Sequence, residues 1–391
     1  MALFAGAYAM GAANWPLSVI GVSSDIPPAA QQVFDPFWEV WNLANEQFFD
    51  QPLDPTNLME GAIDGMLARL DDPNTRYLPP AAEESARQSM EGELQGIGVL
   101  VEMVDEQITV VSPFEGSPAE EAGLRPGDVL LEADGVDLAG MNLGDAAALI
   151  RGPAGTSVHL VVLRGDETLE LDVMRDVVQI PSVRSEMLED HIAYVRLNRF
   201  ADRSPEEMQA ALEEVLAENP QGLILDLRNN PGGGLESAVD IADQFLKDGV
   251  VLTERFGTGR ERVFRASDEG LVQDIPLVVL INEGSASASE VLAGAIRDHQ
   301  RGILLGETSF GKGTVQTWHA LSNGGGVRIT TARWLTPDGD WVHGEGLTPD
   351  VVVPAQDIQP GQPAEDDQLQ AAVEQLHEMM GQPSAATPEA N

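Results

Sequence analysis

Residues 276–299 read PLVVLINEGSASASEVLAGAIRDH. The apolar run PLVVL is short, and a turn-prone stretch closes it, so it reads as a buried strand. VLAGAIRDH then reads as a helix, and the handover from strand to helix falls on GSASASE. A buried strand that passes straight into a helix is the repeating unit of an α/β layer fold. Three serines alternate with alanines at the handover, and they admit two readings. Ser287 and Glu290 have the spacing of a capping box, with Ser at the N-cap and Glu at N3. A nucleophile at a helix start is equally sensible, because free N–H groups and the helix dipole stabilise negative charge there. Both readings predict nearly the same local structure.

Around this stretch the same alternation continues. HIAYVRLNRF reads as a strand and SPEEMQAALEEVLAENP as a capped helix stopped by proline. GLILDLRNN is a buried strand, SAVDIADQFL a helix, and GILLGE, VQTWHAL and VRITTARWLT supply further strands. Residues 34–70 read as helical, DDPNTRYLPP as a turn-rich stop, and 81–91 as a polar helix. From residue 93 to about 176 short strands dominate. After about 355 the chain turns polar, with one helix expected over 368–380. The fold class is therefore α/β and multidomain, within the two or three domains that 391 residues allow.

The formal net charge is −42, which excludes nucleic acid as a partner and a polybasic lipid dock, since both need basic surface. The chain has no cysteine, so disulfides, thiolate metal sites and cysteine nucleophiles are excluded. No metal-binding spacing occurs, and no cofactor is expected. Residues 1–24 carry no charge and resemble an export signal or a membrane anchor, with AYA at 7–9 as a cleavage box. A basic start is missing, because the first Lys or Arg is Arg69. Export to an extracytoplasmic compartment is the expectation.

Among the 22 basic residues only Lys247 and Lys312 are lysine. Arginine does not lose its proton in proteins, whereas a buried lysine does. Lys312 sits between glycines in SFGKGT, which points to a lysine base. The glycine turn RNNPGGG follows a strand, at the carboxyl end where open α/β sheets place their sites, and its N–H groups suit an oxyanion. None of the six histidines except His343, in WVHGEG, falls in a glycine-rich segment.

Together these pieces resemble the carboxy-terminal processing proteases, or tail-specific proteases. DPNTRYLPP, GELQGIGV, RGPAGT, LDLRNNPGGGL, NEGSASASEVLAGAIRD, GETSFGKGTVQT and TPDGDWVHGEGLTPD run in family order over about 35–354. The resemblance implies a signal-like or anchor segment (1–24), a helical N-terminal region (25–92) and an inserted PDZ domain (93–176). A serine protease core of ClpP/crotonase-like β-α arrangement (177–354) and an acidic tail (355–391) follow. It places the nucleophile on Ser287, the general base on Lys312, its orienting group on Gln316, and the oxyanion donors on the N–H groups of Gly233 and Ala288. If 312, 314 and 316 lie in one extended strand they share a face, and Gly311 and Gly313 would leave room for substrate backbone. In the PDZ domain, Gly96, Ile97, Gly98 and Val99 would hold a terminal carboxylate, with Ile97, Val99 and Leu149 lining an apolar groove and Arg151 gating the site. WVHGEG departs from the family's usual short polar stretch.

The implied activity is a serine endopeptidase that reads flexible, apolar-ended C-terminal tails and cleaves through an acyl-enzyme. The reading leaves room for an activating or adaptor protein. Two rivals stand beside it: a silent PDZ adaptor on a protease fold, and a hydrolase of small acyl substrates. Substrate and oligomeric state are not legible.

Overall fold

The run at 277–281 forms a strand, Leu277–Ile281, in which every residue is buried. The structure is a computed structural model that describes residues 28–104, 107–114, 116–267, 269–355 and 366–381. The signal-like segment 1–24, with AYA, and the end of the tail lie outside these residues. The strand lies inside a six-stranded sheet ordered Val183–Met187, Ile192–Leu197, Gly222–Asp226, Leu277–Ile281, Ile303–Gly306 and Val351–Val352. The first pair is antiparallel and all later pairs are parallel. Parallel strands need both faces covered, which is why these segments are almost wholly apolar. On one face Ile192, Tyr194, Ile224, Val278, Leu280 and Leu305 bury against Ala372 and Leu376 of the helix Asp367–Met379. On the other, Ala193, Val195, Leu223, Leu225 and Val279 are fully buried. Helices Ser204–Leu216, Leu235–Asp243 and Ala288–Asp298 pack in sequence beside one another. The fold is the α/β, multidomain arrangement that the alternation predicts.

Two details differ from the sequence expectation. Ser204 is not the cap of its helix; its Oγ accepts from Ala201 N–H and donates to Arg199 O. A hairpin, Val250–Phe256 with Glu261–Arg265, and the edge strand Val183–Met187 were not anticipated, because charged residues interrupt their apolar pattern.

Residues 93–176 build a second sheet of antiparallel strands, Val99–Val104, Gln107–Pro113, Val129–Ala133, Ser157–Arg164 and Glu167–Met174. Helices Pro118–Glu121 and Leu143–Ile150 accompany it, and its core holds Ile97, Ile108, Leu130, Leu160 and Val173. Asp128, of the PGD turn, is almost fully buried and takes Arg164 on both carboxylate oxygens, at 2.7 and 2.8 Å. Burial favours its protonated form, but the Arg164 guanidinium and the Arg125 N–H outweigh that and hold its pKa below the usual carboxylate value. Entry and exit of this sheet are zipped together, since Glu93–Gly96 pairs antiparallel with Asp176–Gln179.

By contacts the chain divides into two units, Met1–Ser85 with Val315–Ala332, and Ala86–Thr314 with Arg333–Asn391. The sheets above belong to the second. In the first, helices Pro28–Gln47 and Pro55–Leu67 precede the strand Arg76–Leu78, which pairs antiparallel with Gly326, Val327 and Arg328. Asp54 caps the second helix on Thr56 N–H. The Arg328 guanidinium lies 4.0 Å from the Trp318 ring, and Trp318 donates to Glu83. Among the described residues no helix is long and apolar enough to cross a membrane.

Asp226 closes the strand Gly222–Asp226 as a fully buried carboxylate. It accepts from Tyr194 OH at 2.7 Å and from Arg228, which also reaches Asp366 at the start of the last helix. Burial and the Asp226 charge push the Tyr194 phenol up from 10 to about 12. The folded state thus keeps a proton that the unfolded chain releases above pH 10, so this stabilisation is present below pH 10 and is lost as pH rises towards 12. Tyr194→Phe should cost about 1.5–3 kcal/mol near pH 7, the range for a hydrogen bond to a charged group. Denaturant titrations at stepped pH should show this difference shrinking between pH 10 and 12; a constant difference would rule the coupling out.

Candidate active site

The three serines are not equivalent. Ser285 and Ser289 are fully buried, and each hydroxyl is committed. Ser285 Oγ donates to Leu227 O at 2.8 Å and accepts from Asn282 N–H at 3.0 Å. Ser289 Oγ donates to Asn230 O at 2.9 Å. Ser287 is only partly buried and stands at the N-cap of Ala288–Asp298. Its backbone is at φ 57°, ψ −114°, a conformation that β-carbon-bearing residues rarely adopt. Such strain typically costs about 1–3 kcal/mol and persists only where the surroundings enforce it. A strained strand-to-helix turn is also the geometry that lifts a serine hydroxyl out of a sheet edge.

The surroundings are a buried carboxylate. Glu290 is fully buried and accepts four hydrogen bonds. Oε2 takes the N–H of Ser287 and the N–H of Lys312, each at 2.8 Å. Oε1 takes Ser309 Oγ–H at 2.7 Å and Gly311 N–H at 2.6 Å. One oxygen therefore holds the backbones of Ser287 and Lys312 together, no more than two hydrogen-bond lengths apart. Sequence reasoning saw Glu290 only as a helix cap; its contacts with 309–312 cross some twenty residues and left no local signal. Phe310 N–H donates to Ser285 O at 3.0 Å, and Ser309 is bound through N–H and Oγ to Leu347, which ties the lysine segment to the serine turn and to residue 347.

Lys312 is half-buried, as is Gln316. The strand Thr314–Ala320 begins two residues after Lys312, so the lysine does not share the strand face expected for 312, 314 and 316. The reason lies in the backbone: the N–H groups of Gly311 and Lys312 go to Glu290, and their carbonyls to Gly344 N–H and Trp334 Nε1–H, so neither residue has a strand backbone as partner. Gln316 sits in the strand with its Nε2 donating to Thr330 Oγ1 at 3.1 Å. The glycines also differ from expectation. Gly311 and Gly313 are buried, and added Cβ atoms would lie 2.9 Å from Gly346 N and 2.6 Å from Trp341 Nε1. They are small because the chain packs against them, not to admit substrate.

The glycine turn lies against the serine. A Cβ on Gly232 would fall 2.8 Å from Ala288 N and 2.9 Å from Ser287 Cβ. Gly233, at φ 152°, bridges to Phe200 through its neighbours: Phe200 N–H donates to Gly232 O, and Gly234 N–H to Phe200 O. Among the described residues, neither Gly233 N–H nor Ala288 N–H has a protein acceptor. Asn230, fully buried, shapes the turn, with Nδ2 on Leu197 O at 2.7 Å and Oδ1 accepting from Gly232 N–H at 2.9 Å. Arg228 anchors its start. Burial works against the guanidinium's charge, but bonds to Asp366 and Asp226 more than offset this and raise its pKa further.

In the small β domain, Gly96 ends the strand Glu93–Gly96, Gly98 is at φ 72°, and Ile97 is buried in the domain core, so it does not line a groove as expected. A Cβ on Gly98 would strike Ser117 Cβ at 2.6 Å, so glycine is required there. Val99 and Leu149 pack partly buried on this domain's core. Arg151 caps the end of Leu143–Ile150, and its Cγ lies 3.7 Å from where a Gly96 Cβ would stand.

Residues 191–353 match peptidase family S41, residues 109–164 a PDZ domain, and residues 22–81 the activating protease CtpB N-terminal domain. The carboxy-terminal processing protease CtpA of Bacillus subtilis is 37% identical over 340 residues, covering 86% of this chain and 73% of that protein. The carboxyl-terminal-processing protease of Synechocystis is 39% identical over 321 residues, covering 80% and 75%. Among solved structures, the photosystem II D1 C-terminal processing protease superposes with a TM-score of 0.50 at 34% identity, over 80% of this chain and 86% of that one. With the sequence relationship and the fold in agreement, the chain belongs to the carboxy-terminal processing proteases of peptidase family S41, serine peptidases that carry a PDZ domain.

Proposed function

We propose that this protein is a serine endopeptidase in which Ser287 is the nucleophile and Lys312 the general base. The observation that carries the reading is the shared oxygen of Glu290: the one accessible serine of the turn and one of the chain's two lysines hang from it by their backbones. Ser287 Oγ attacks the scissile carbonyl carbon while its proton passes to Lys312 Nζ. The oxyanion forms between the N–H groups of Gly233 and Ala288. The C–N bond then breaks, the lysine returns the proton to the leaving amine, and water hydrolyses the acyl-enzyme by the same proton path in reverse. A lysine base must be neutral at working pH; bringing a free amine from ~10.4 to about 7–8 takes roughly 3–4 kcal/mol of burial and local field.

Substrates are flexible C-terminal tails of proteins, entering as an added strand in the PDZ groove. The N–H groups of Gly96, Ile97, Gly98 and Val99 receive the terminal carboxylate. Val99 and Leu149 favour an apolar last residue, and Arg151, whose stem lies beside Gly96, couples docking to the site. The working compartment is extracytoplasmic.

Wild type should cleave an unfolded, apolar-tailed protein, with products identified by mass spectrometry. Ser287→Ala, Lys312→Ala and the permanently charged Lys312→Arg should fold yet lose activity by at least about 10³-fold; cleavage by Ser287→Ala would remove the nucleophile assignment. Binding of the tail without cleavage by wild type would favour a PDZ adaptor.

Glu290→Gln makes a sharper test. Each carboxylate oxygen receives two donors, at least one of them a backbone N–H, so either amide orientation sets an NH2 against a backbone donor. We expect a loss of about 10²-fold or more in kcat and a lower unfolding midpoint. Wild-type kinetics in this variant would show that the carboxylate does not hold the site.

Amidating the substrate's C-terminus should reduce kcat/KM in wild type, and Arg151→Ala should reduce the advantage of the free acid. An unchanged ratio of acid to amide would dismiss the role of Arg151.

A further inference from the structure

We propose that Trp341 is a positioning residue for Lys312, bracing the 313–314 peptide next to the lysine's own through the Gly313 carbonyl; this rests on the Ser-Lys reading. The WVHGEG stretch, which departs from the family's usual polar segment, thereby gains a role in the chemistry.

Lysine carries four rotatable carbons, so the direction of its stem depends on how firmly the backbone beneath it is set. Here the setting is unusually complete. Glu290 holds the N–H groups of Gly311 and Lys312 from one side. All three carbonyls of 311–313 are held by residues 334–344. Gly311 O accepts from Gly344 N–H at 2.9 Å, and Lys312 O accepts from Trp334 Nε1–H at 2.8 Å. Gly313 O accepts from Trp341 Nε1–H at 2.8 Å and from Trp334 N–H at 3.2 Å. The two indoles fix consecutive peptide planes, 312–313 and 313–314, which meet at Gly313; with the 311–312 peptide held by Gly344 and Glu290, the planes that set the Cα–Cβ direction of the lysine are fixed, and Trp341 braces the next one.

The two tryptophans are not alike. Trp334 is 1% exposed and belongs to the core. Trp341 is 37% exposed, so burial alone does not account for it. Its indole is gripped by the Arg333 guanidinium, 4.1 Å from the ring, and by the His343 ring, stacked at 5.0 Å and 16°. These contacts aim Nε1 at Gly313 O. Gly313 completes the fit: a Cβ there would lie 2.6 Å from Trp341 Nε1, 2.8 Å from Trp341 Cδ1 and 2.9 Å from His343 Cβ. The second glycine of GKG is thus the counterpart of this tryptophan.

The test uses the full chain with fluorescein-labelled casein as an unfolded substrate. Trp341→Phe keeps a ring for Arg333 and His343 but removes the donor. We expect kcat to fall about 10- to 100-fold with KM within about twofold, because a small misplacement of a reacting group acts on the chemical step. The acid limb of the kcat/KM–pH profile should move to higher pH as the lysine is less firmly seated in its partly buried site, while the unfolding midpoint stays near wild type. Gly313→Ala, whose Cβ would meet both the indole and His343 Cβ, should give a loss at least as large. If Lys312→Ala is inactive while Trp341→Phe retains wild-type kcat and an unmoved acid limb, the positioning role is overturned and the Ser-Lys reading stands. A fall in kcat accompanied by a lowered unfolding midpoint and an unmoved limb overturns it too, as a purely structural effect. If Lys312→Ala still cleaves, both fall together.

Discussion

The site hangs on one buried carboxylate. A charge without solvent is costly unless every lone pair finds a donor. Glu290 meets that condition with four donors, drawn from the serine turn on one side and residues 309–312 on the other. The consequence is geometric. Removing any one donor leaves a buried anion short of a partner, so the two segments cannot shift independently. The strained backbone of Ser287 is held by the same contact, together with the helix that starts beneath it and the close approach of Gly232. Two loops that are distant in sequence are thus tied into one constellation, with Phe310 N–H on Ser285 O as a further bond between them.

The sheet delivers the pieces to this point. Strands Gly222–Asp226 and Leu277–Ile281 are parallel neighbours, so the glycine turn and the serine turn emerge at the same edge. Asn230 then stitches them, its carbonyl accepting from Ser289 Oγ and Ala286 N–H while its side chain shapes the turn to Gly232. Behind it, Arg228 bridges Asp226 to Asp366, which fastens the last helix to the strand end that carries the turn. The polar groups in this layer act as spacers of fixed length.

The sequence made the alternation of strands and helices legible, because buried parallel strands are continuous apolar runs and their helices are separated by clear turns. It also marked Lys312 through the rarity of lysine, and Ser287 through family resemblance. What stayed hidden depends on partners remote in the chain. The spacing of Glu290 from Ser287 is the same in a simple cap and in a four-donor anchor. Gly311 and Gly313 read as openings because nothing local shows the atoms packed against them. That Lys312 lies outside the strand Thr314–Ala320 has no local signal, because the bonds that hold it come from 290 and 334. The hairpin at 250–265 escaped because its charges broke the apolar period.

The zipped strands at the root of the PDZ domain bear on how ligand binding is felt elsewhere. The segment leading into Glu93–Gly96 touches the core directly: Ser89 O accepts from Arg199 Nη1, Met90 O from Asp202 N–H, and Gly92 O from Ile180 N–H. Between Arg199 and Asp202 lies Phe200, whose own N–H and carbonyl bracket Gly233. A bonded path therefore runs from the end of the PDZ root to the glycine turn beside Ser287. Contiguity alone is not coupling, which requires an element with two arrangements. On this path Gly232 is bonded at both its N–H and its carbonyl, and Gly232 and Gly233, at φ 93° and 152°, are glycines because Ala286, Ala288 and Phe200 approach too closely for a Cβ. The same two peptides carry the N–H group assigned to the oxyanion.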